Sequence, residues 1–224
     1  MSGILEKMMS SKSSDIVDEL NLYTHYGLSV TKKLGVRLVD AFRDAFSVDD
    51  DIRRSYYRDK GIGHAKNGRY AQAVAVLDAV WDNDGDDVDV ALHLGIACVK
   101  TGEGERGLAL IERAHQLDPA NTKVSTVLGL TYVQEQKYDL AVPLLIKVAE
   151  ANPVNFNIRY RLGVALDNLG RFAEAIDSFK IAAGMRPNDA KVHRAIAYSF
   201  EQMGNHEEAL PYFKKANELE GSAA

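Results

Sequence analysis

Gly102, Gly104 and Gly107 spell G-x-G-x-x-G, the spacing at which a tight strand-to-helix turn brings backbone N–H groups onto a dinucleotide pyrophosphate. That chemistry needs a strand in front of the turn and a parallel sheet around it. The residues up to Lys100 carry a helical pattern instead, so these glycines read as an inter-helix turn followed by a small packing residue. Residues 63–70, GHAKNGRY, space two glycines like a phosphate loop, but Arg69 and Tyr70 stand where lysine and a serine or threonine are required. Asp82, Asp84, Asp86, Asp87 and Asp89 surround Gly85 in the manner of a calcium loop. Placing Gly85 at the loop's sixth position puts Val80 first and Ala91 twelfth, apolar where carboxylates must be, which leaves a solvated loop between helices.

The histidines, at positions 25, 64, 93, 115, 193 and 206, form no pair at three or four residues' separation, and Cys98 is the only cysteine. The sequence therefore offers no metal cluster, no disulfide and no cofactor site, and Cys98 reads as a small core residue. No serine lies in a nucleophile motif, so the chain does not read as an enzyme. Trp81 reads as a packing or end-of-stack residue. A net charge of -5 argues against nucleic acid as a partner. No run approaches the length of a membrane span, and the first residues hold too short an apolar stretch for a signal peptide.

The elements that must carry any function repeat at a constant interval. Residues 156–189 read as two helices. Leu162, Leu166 and Leu169 fall at helical spacing in the first half, and Phe172, Ala175, Ile176, Phe179 and Ala182 in the second. Gly170 and Arg171 leave room only for a tight reversal, so the helices are antiparallel neighbours. Steps of 34 residues connect Gly61, Gly95, Gly129, Gly163 and Ala197. The same step connects Ala73, Gly107, Ala141, Ala175 and Ala209, and it connects Pro119, Pro153 and Pro187. Five copies, 54–87, 88–121, 122–155, 156–189 and 190–223, tile the chain without insertion or deletion. Pro143 and Pro211 recur in register near the start of a second helix, where the backbone must tolerate them.

Small residue, aromatic or aliphatic, small residue and proline at this spacing resemble the tetratricopeptide repeat. The resemblance implies an all-α solenoid, a right-handed superhelix of antiparallel helix pairs, in which each pair shares a core with its neighbours. The small residues Gly61, Gly95, Gly129, Gly163 and Ala197, with Ala73, Ala141, Ala175 and Ala209, are then the repeat-packing positions. First helices would line a concave groove for a partner. Its places map to Arg58, Ile62 and Lys66, to Leu92, Ile96 and Lys100, to Lys123, Leu130 and Val133, to Asn157, Tyr160, Val164 and Asn168, and to Lys191, Arg194 and Tyr198. An aliphatic middle with basic ends suits a short helix with apolar anchors and acidic flanks; the competing reading is that these aliphatics only pack on the adjacent helix. Members of the family that bind chaperone tails use a lysine and asparagine pair at the groove mouth, where this chain has Arg58 and Ile62.

Upstream, residues 1–14 read as a flexible lead, with Met8 and Met9 as alternative starts, and residues 15–53 as a degenerate sixth repeat or docking segment. One period before Gly61 stands Gly27, but Val39 and Phe46 are too bulky for the small-residue positions. Leu34, Leu38, Phe42 and Phe46 line one face of a helix over residues 32–46, with Lys32, Lys33, Arg37 and Arg43 mostly off it. This is either a repeat helix packing on the array or a basic amphipathic helix that touches an anionic membrane or a partner. Ile16, Leu20 and Tyr23, flanked by Asp15, Asp18 and Glu19, match the groove's ligand and form a self-docking segment for a neighbouring copy, a head-to-tail contact that need not close. Asp49, Asp50 and Asp51 are placed to cap the first regular helix.

Over residues 11–219 the chain is similar to the magnetosome-associated tetratricopeptide proteins of magnetotactic bacteria, on the blocks LYTHYGLSVTKKLG, LHLGIACVKTG and RLGVALDNLGRFAEAIDSFKIA. That resemblance implies a self-assembling homo-oligomeric scaffold on the cytosolic face of the magnetosome membrane, bound there indirectly, which recruits other magnetosome proteins. Two other readings stay open: direct insertion of the 32–46 helix into a membrane, and a monomeric adaptor for one client.

Overall fold

Side-chain oxygens of Asp or Asn start the first helix of each pair, because each accepts from a backbone N–H that the helix itself cannot satisfy. Asp49 accepts from Asp51 N, Asp87 from Asp89 N and Val90 N, Asn121 from Lys123 N and Val124 N, Asn155 from Ile158 N, and Asp189 from Lys191 N. The computed structural model describes residues 49–221. These form ten α-helices and no strand: α1 Asp50–Lys66, α2 Tyr70–Asp84, α3 Val88–Thr101, α4 Gly104–Leu117, α5 Thr122–Gln134, α6 Tyr138–Ala151, α7 Phe156–Asn168, α8 Phe172–Met185, α9 Ala190–Gln202 and α10 His206–Gly221. Helix α1 begins upstream of the array start at residue 54 that the period suggests, held by the Asp49 cap. Pro143 and Pro211 lie inside α6 and α10, in the second turn. The docking residues Ile16, Leu20 and Tyr23, the flexible lead and the 32–46 helix lie outside the described residues.

The chain divides into two compact units, one through Thr101 and one from Gly102 onward. In the first, α1, α2 and α3 pack on one another, with Leu77 and Val90 fully buried between them. In the second, each helix from α4 to α10 packs on the next, and the first helices α5, α7 and α9 also touch in series. Tyr132 on α5 donates its hydroxyl to Glu112 on α4 at 2.9 Å. Burial, and then Glu112, push the Tyr132 phenol up to about 12, so it stays neutral and donating.

The repeat-packing positions explain why the hairpins close so tightly. Gly61, Gly95, Gly129 and Gly163 are all buried, and Ala73, Ala141, Ala175, Ala197 and Ala209 are fully buried. A Cβ on Gly129 would meet Leu145 Cδ2 at 3.0 Å, and one on Gly163 would meet Phe179 Cε1 at 2.5 Å. The partner lies sixteen residues on in each case, which is the reach across one hairpin. Cys98 is fully buried.

Between the two helices of each repeat stands one left-handed residue, again at steps of 34: Gly68, Gly102, Gln136, Gly170 and Gly204, with φ of 73°, 97°, 58°, 72° and 76°. At Gly170 the bonds Gly170 N to Asp167 O and Arg171 N to Leu166 O close a Schellman motif, and Gln136 and Lys137 make the same pair to Val133 and Tyr132. Gln136 is the one member with a Cβ, and a side chain in this region costs about 1–2 kcal/mol. Gln136→Gly is expected to stabilise the second unit by about 0.5–1 kcal/mol net, after glycine's greater unfolded-state freedom is subtracted. Urea denaturation followed by circular dichroism reads this as a higher midpoint at unchanged slope.

Candidate partner-binding surface

In the first unit, the residue expected at the groove mouth is already occupied. Arg58 Nε binds Asp87 Oδ2, Arg58 Nη2 lies 3.3 Å from Asp89 Oδ2, and Arg58 Nη1 lies 3.1 Å from Asp59 Oδ1. Asp87 uses its other carboxylate oxygen to cap α3 at 2.9 Å and 3.0 Å. Burial pushes the Asp87 carboxyl up, but the Arg58 bond and charge and the two backbone N–H donors outweigh it and hold the group below its ordinary range. Hydrogen bonding to Asp87 raises the Arg58 guanidinium against the opposing effect of burial. Arg58 is therefore a clamp between α1 and α3 rather than a cation held out to a ligand. Gly85, at φ 40°, ends α2 just before this clamp. Asp87 beside it caps α3 and pairs with Arg58, Asp89 pairs with Arg58, and no group of three or more metal-ligating residues forms among the described residues. Trp81 is half-buried and lines a cavity of about 220 Å³ with Asp51, Arg54, Ser55, Arg58 and Asp87.

Three of the expected groove aliphatics differ from that expectation in the same physical sense. Ile62, Leu92 and Val133 are 7%, 1% and 6% exposed, so they belong to the core and a partner cannot reach them. Ile96 is half-buried, and Lys66 and Lys100 are exposed with no ion pair among the described residues.

The second unit holds the more open surface. Along the touching first helices α5, α7 and α9, Lys123, Asn157, Lys191 and Tyr198 are exposed, while Leu130, Tyr160, Val164 and Arg194 are half-buried. Tyr160 sits between Phe156 and Phe179, at ring-centroid distances of 6.0 Å and 5.5 Å. The Arg186 guanidinium covers the other ring at 4.0 Å from the Phe156 centroid. Burial raises the Tyr160 phenol. Asn168 folds back onto its own helix, donating to Val164 O at 2.8 Å. Arg194 is tied to Glu220 at 2.6 Å and Asn217 at 3.4 Å, so it braces α9 against α10. Ser199 donates to Asp167 at 2.5 Å and joins α9 to α7. The G-x-G-x-x-G glycines are split by the fold. Gly102 is the left-handed turn residue, Gly104 opens α4 and Gly107 is buried within it.

The first helices α5, α7 and α9 carry exposed basic residues and half-buried apolar side chains on 34-residue helix pairs, the surface of a protein-interaction repeat. Profiles described as tetratricopeptide repeat match residues 64–130, 126–190 and 166–223. Magnetosome protein MamA of Paramagnetospirillum magnetotacticum and of Paramagnetospirillum magneticum are each 74% identical over 87 residues, 39% of this chain and 40% of theirs. The matched segment thus spans well under half of those curated relatives. A solved structure of MamA from strain MSR-1 is 73% identical and covers 77% of this chain and 99% of that one, with a TM-score of 0.74. A second, from strain AMB-1, is 74% identical, covers 78% of this chain and 96% of that one, and also has a TM-score of 0.74. A MamA structure from Desulfovibrio magneticus, 24% identical over 79% of this chain and 98% of that one with a TM-score of 0.69, shares the fold.

The chain is an all-α tetratricopeptide-repeat solenoid. Within that class it belongs to the MamA family, which is non-enzymatic. No helix among the described residues is long and apolar enough to cross a membrane.

Proposed function

We propose that the chain is a scaffold that assembles into large homo-oligomers on the cytosolic face of the magnetosome membrane and there recruits other magnetosome proteins. The magnetosome setting comes from the relatives' name. The scaffold role rests on one observation: α5, α7 and α9 stand in contact and present Lys123, Lys191, Tyr198, Leu130, Tyr160 and Val164 on exposed or half-buried sites. A surface with basic ends and an apolar middle complements an acidic amphipathic segment, and Ile16, Leu20 and Tyr23 with Asp15, Asp18 and Glu19 supply one in the same chain. Docking of that segment on a neighbour is head-to-tail, so assembly continues past the dimer. Membrane contact is then indirect, through the recruited proteins.

Deleting residues 1–41 is expected to abolish the large assemblies in sedimentation velocity, and the double variant Lys123→Glu, Lys191→Glu in the full chain to shrink them with the fold intact by circular dichroism. Large assemblies that survive the deletion sink the proposal. Flotation of the purified chain with anionic vesicles should be negligible; strong flotation favours direct insertion of the 32–46 helix instead.

A further inference from the structure

The last hairpin exposes what every earlier hairpin of its unit covers. Leu210 on α10 is 69% exposed, whereas the residues one and two periods earlier, Ile176 on α8 and Val142 on α6, are 4% and 3% exposed beneath the helix that follows each of them. Phe213 is half-buried against exposed Tyr198, with ring centroids 5.2 Å apart, while its equivalents Phe179 and Leu145 are buried. The stacking face of α10 is therefore open at Leu210, with exposed His206, Glu207, Lys214 and Asn217 around it.

The charges on that face say what fits it. Counting 100° per residue from Leu210, Glu207 lies one turn before it and Lys214 one turn after it on the same side, and both are exposed. A helix with acid above an apolar residue and base below it is complementary to a copy of itself run antiparallel. We infer that the α10 face pairs with the α10 of a second copy about a two-fold axis beside Leu210 and Pro211. The two leucines meet at the seam, and Glu207 of each copy faces Lys214 of the other. The contact is isologous and closes at two chains. It is separate from the N-terminal head-to-tail contact proposed above, and it would join two such rows of subunits.

A cysteine at position 210 reports this pair directly in the full chain, since the native Cys98 is fully buried and silent. A seam residue brings the two Cα atoms within disulfide reach. Under mild oxidation Leu210→Cys is expected to give covalent dimers well above the yield of Ile146→Cys, an exposed site on α6. Adding Glu207→Lys or Lys214→Glu alone replaces two attractions with two repulsions, and should lower the dimerisation constant by about tenfold. Combining them restores it. Equal yields at 210 and 146 overturn the inference, as do single reversals without effect. A loss that the double reversal does not restore also overturns it. None of these outcomes depends on the N-terminal deletion, which tests the other contact.

Discussion

Gly163→Val lowers the stability of the unit that begins at Gly102 by about 3 kcal/mol or more. The new Cβ would lie 2.5, 2.6 and 2.9 Å from Phe179 Cε1, Cδ1 and Cζ. Those atoms belong to a rigid ring that is 2% exposed and backed by Tyr160, so the ring has nowhere to turn. Relief requires α7 and α8 to separate, which costs overpacking energy of about 1–3 kcal/mol for the Cβ and more for the branch. For a unit of this size the melting temperature falls by about 10 °C or more. Gly184→Ala is the control. A Cβ there meets nothing within 4 Å, so the same loss of a glycine from α8 should raise stability by about 0.5 kcal/mol. If both substitutions destabilise alike, close approach is not the reason Gly163 is a glycine.

How far these positions were legible in the sequence follows from what a period records. A strict 34-residue step registers features that every hairpin needs, so the small residues at the crossing, the tight reversals and the helix pairing could all be read from it. The Asx caps at Asp87, Asn121, Asn155 and Asp189 lie on the same step and could have been read too. Features that differ between hairpins were not legible by equivalence. Arg58 occupies the register of Leu92, Thr126, Tyr160 and Arg194, so although Asp87 lies on the cap step, only the first repeat sets a cation at this register beside such a cap. Ile62, Leu92 and Val133 are aliphatic at groove register and buried. Periodicity gives a side chain's direction from its helix, and burial depends on what the neighbouring element happens to place there. The division after Thr101 falls between the two helices of one repeat, α3 and α4, so nothing in the step marks it. Leu210 is the converse case: its register predicts a covered residue, and it is exposed because no further hairpin follows α10 among the described residues.

Arg58→Glu is expected to weaken the first unit and to reverse its response to pH. The substitution removes the clamp and sets a new carboxylate among Asp59, Asp87 and Asp89. A fully buried pair broken in this way costs about 3–5 kcal/mol, and because Arg58 and Asp87 keep 32% and 27% of their side-chain exposure, about 2 kcal/mol is the reasonable figure here. The sign of the pH dependence separates loss of the clamp from a general loss of packing. In the native chain the folded Asp87 pKa lies below the ordinary 3.8, so its contribution is fully present above about pH 4 and is lost as pH falls through the folded value. In the variant, repulsion raises the folded pKa values of the clustered carboxylates above their unfolded values. The folded state then binds more protons, and stability rises as pH falls from 7 toward 4. Trp81 is the only tryptophan and lines the cavity beside Arg58, so its fluorescence follows this unit selectively in urea titrations at each pH. A variant whose midpoint falls with pH in parallel with the native chain would show that the cluster does not carry the clamp. The same result governs how binding experiments are read. Reduced assembly by Arg58→Glu reports a weakened α1–α3 packing, whereas Lys123 and Lys191 test the surface itself.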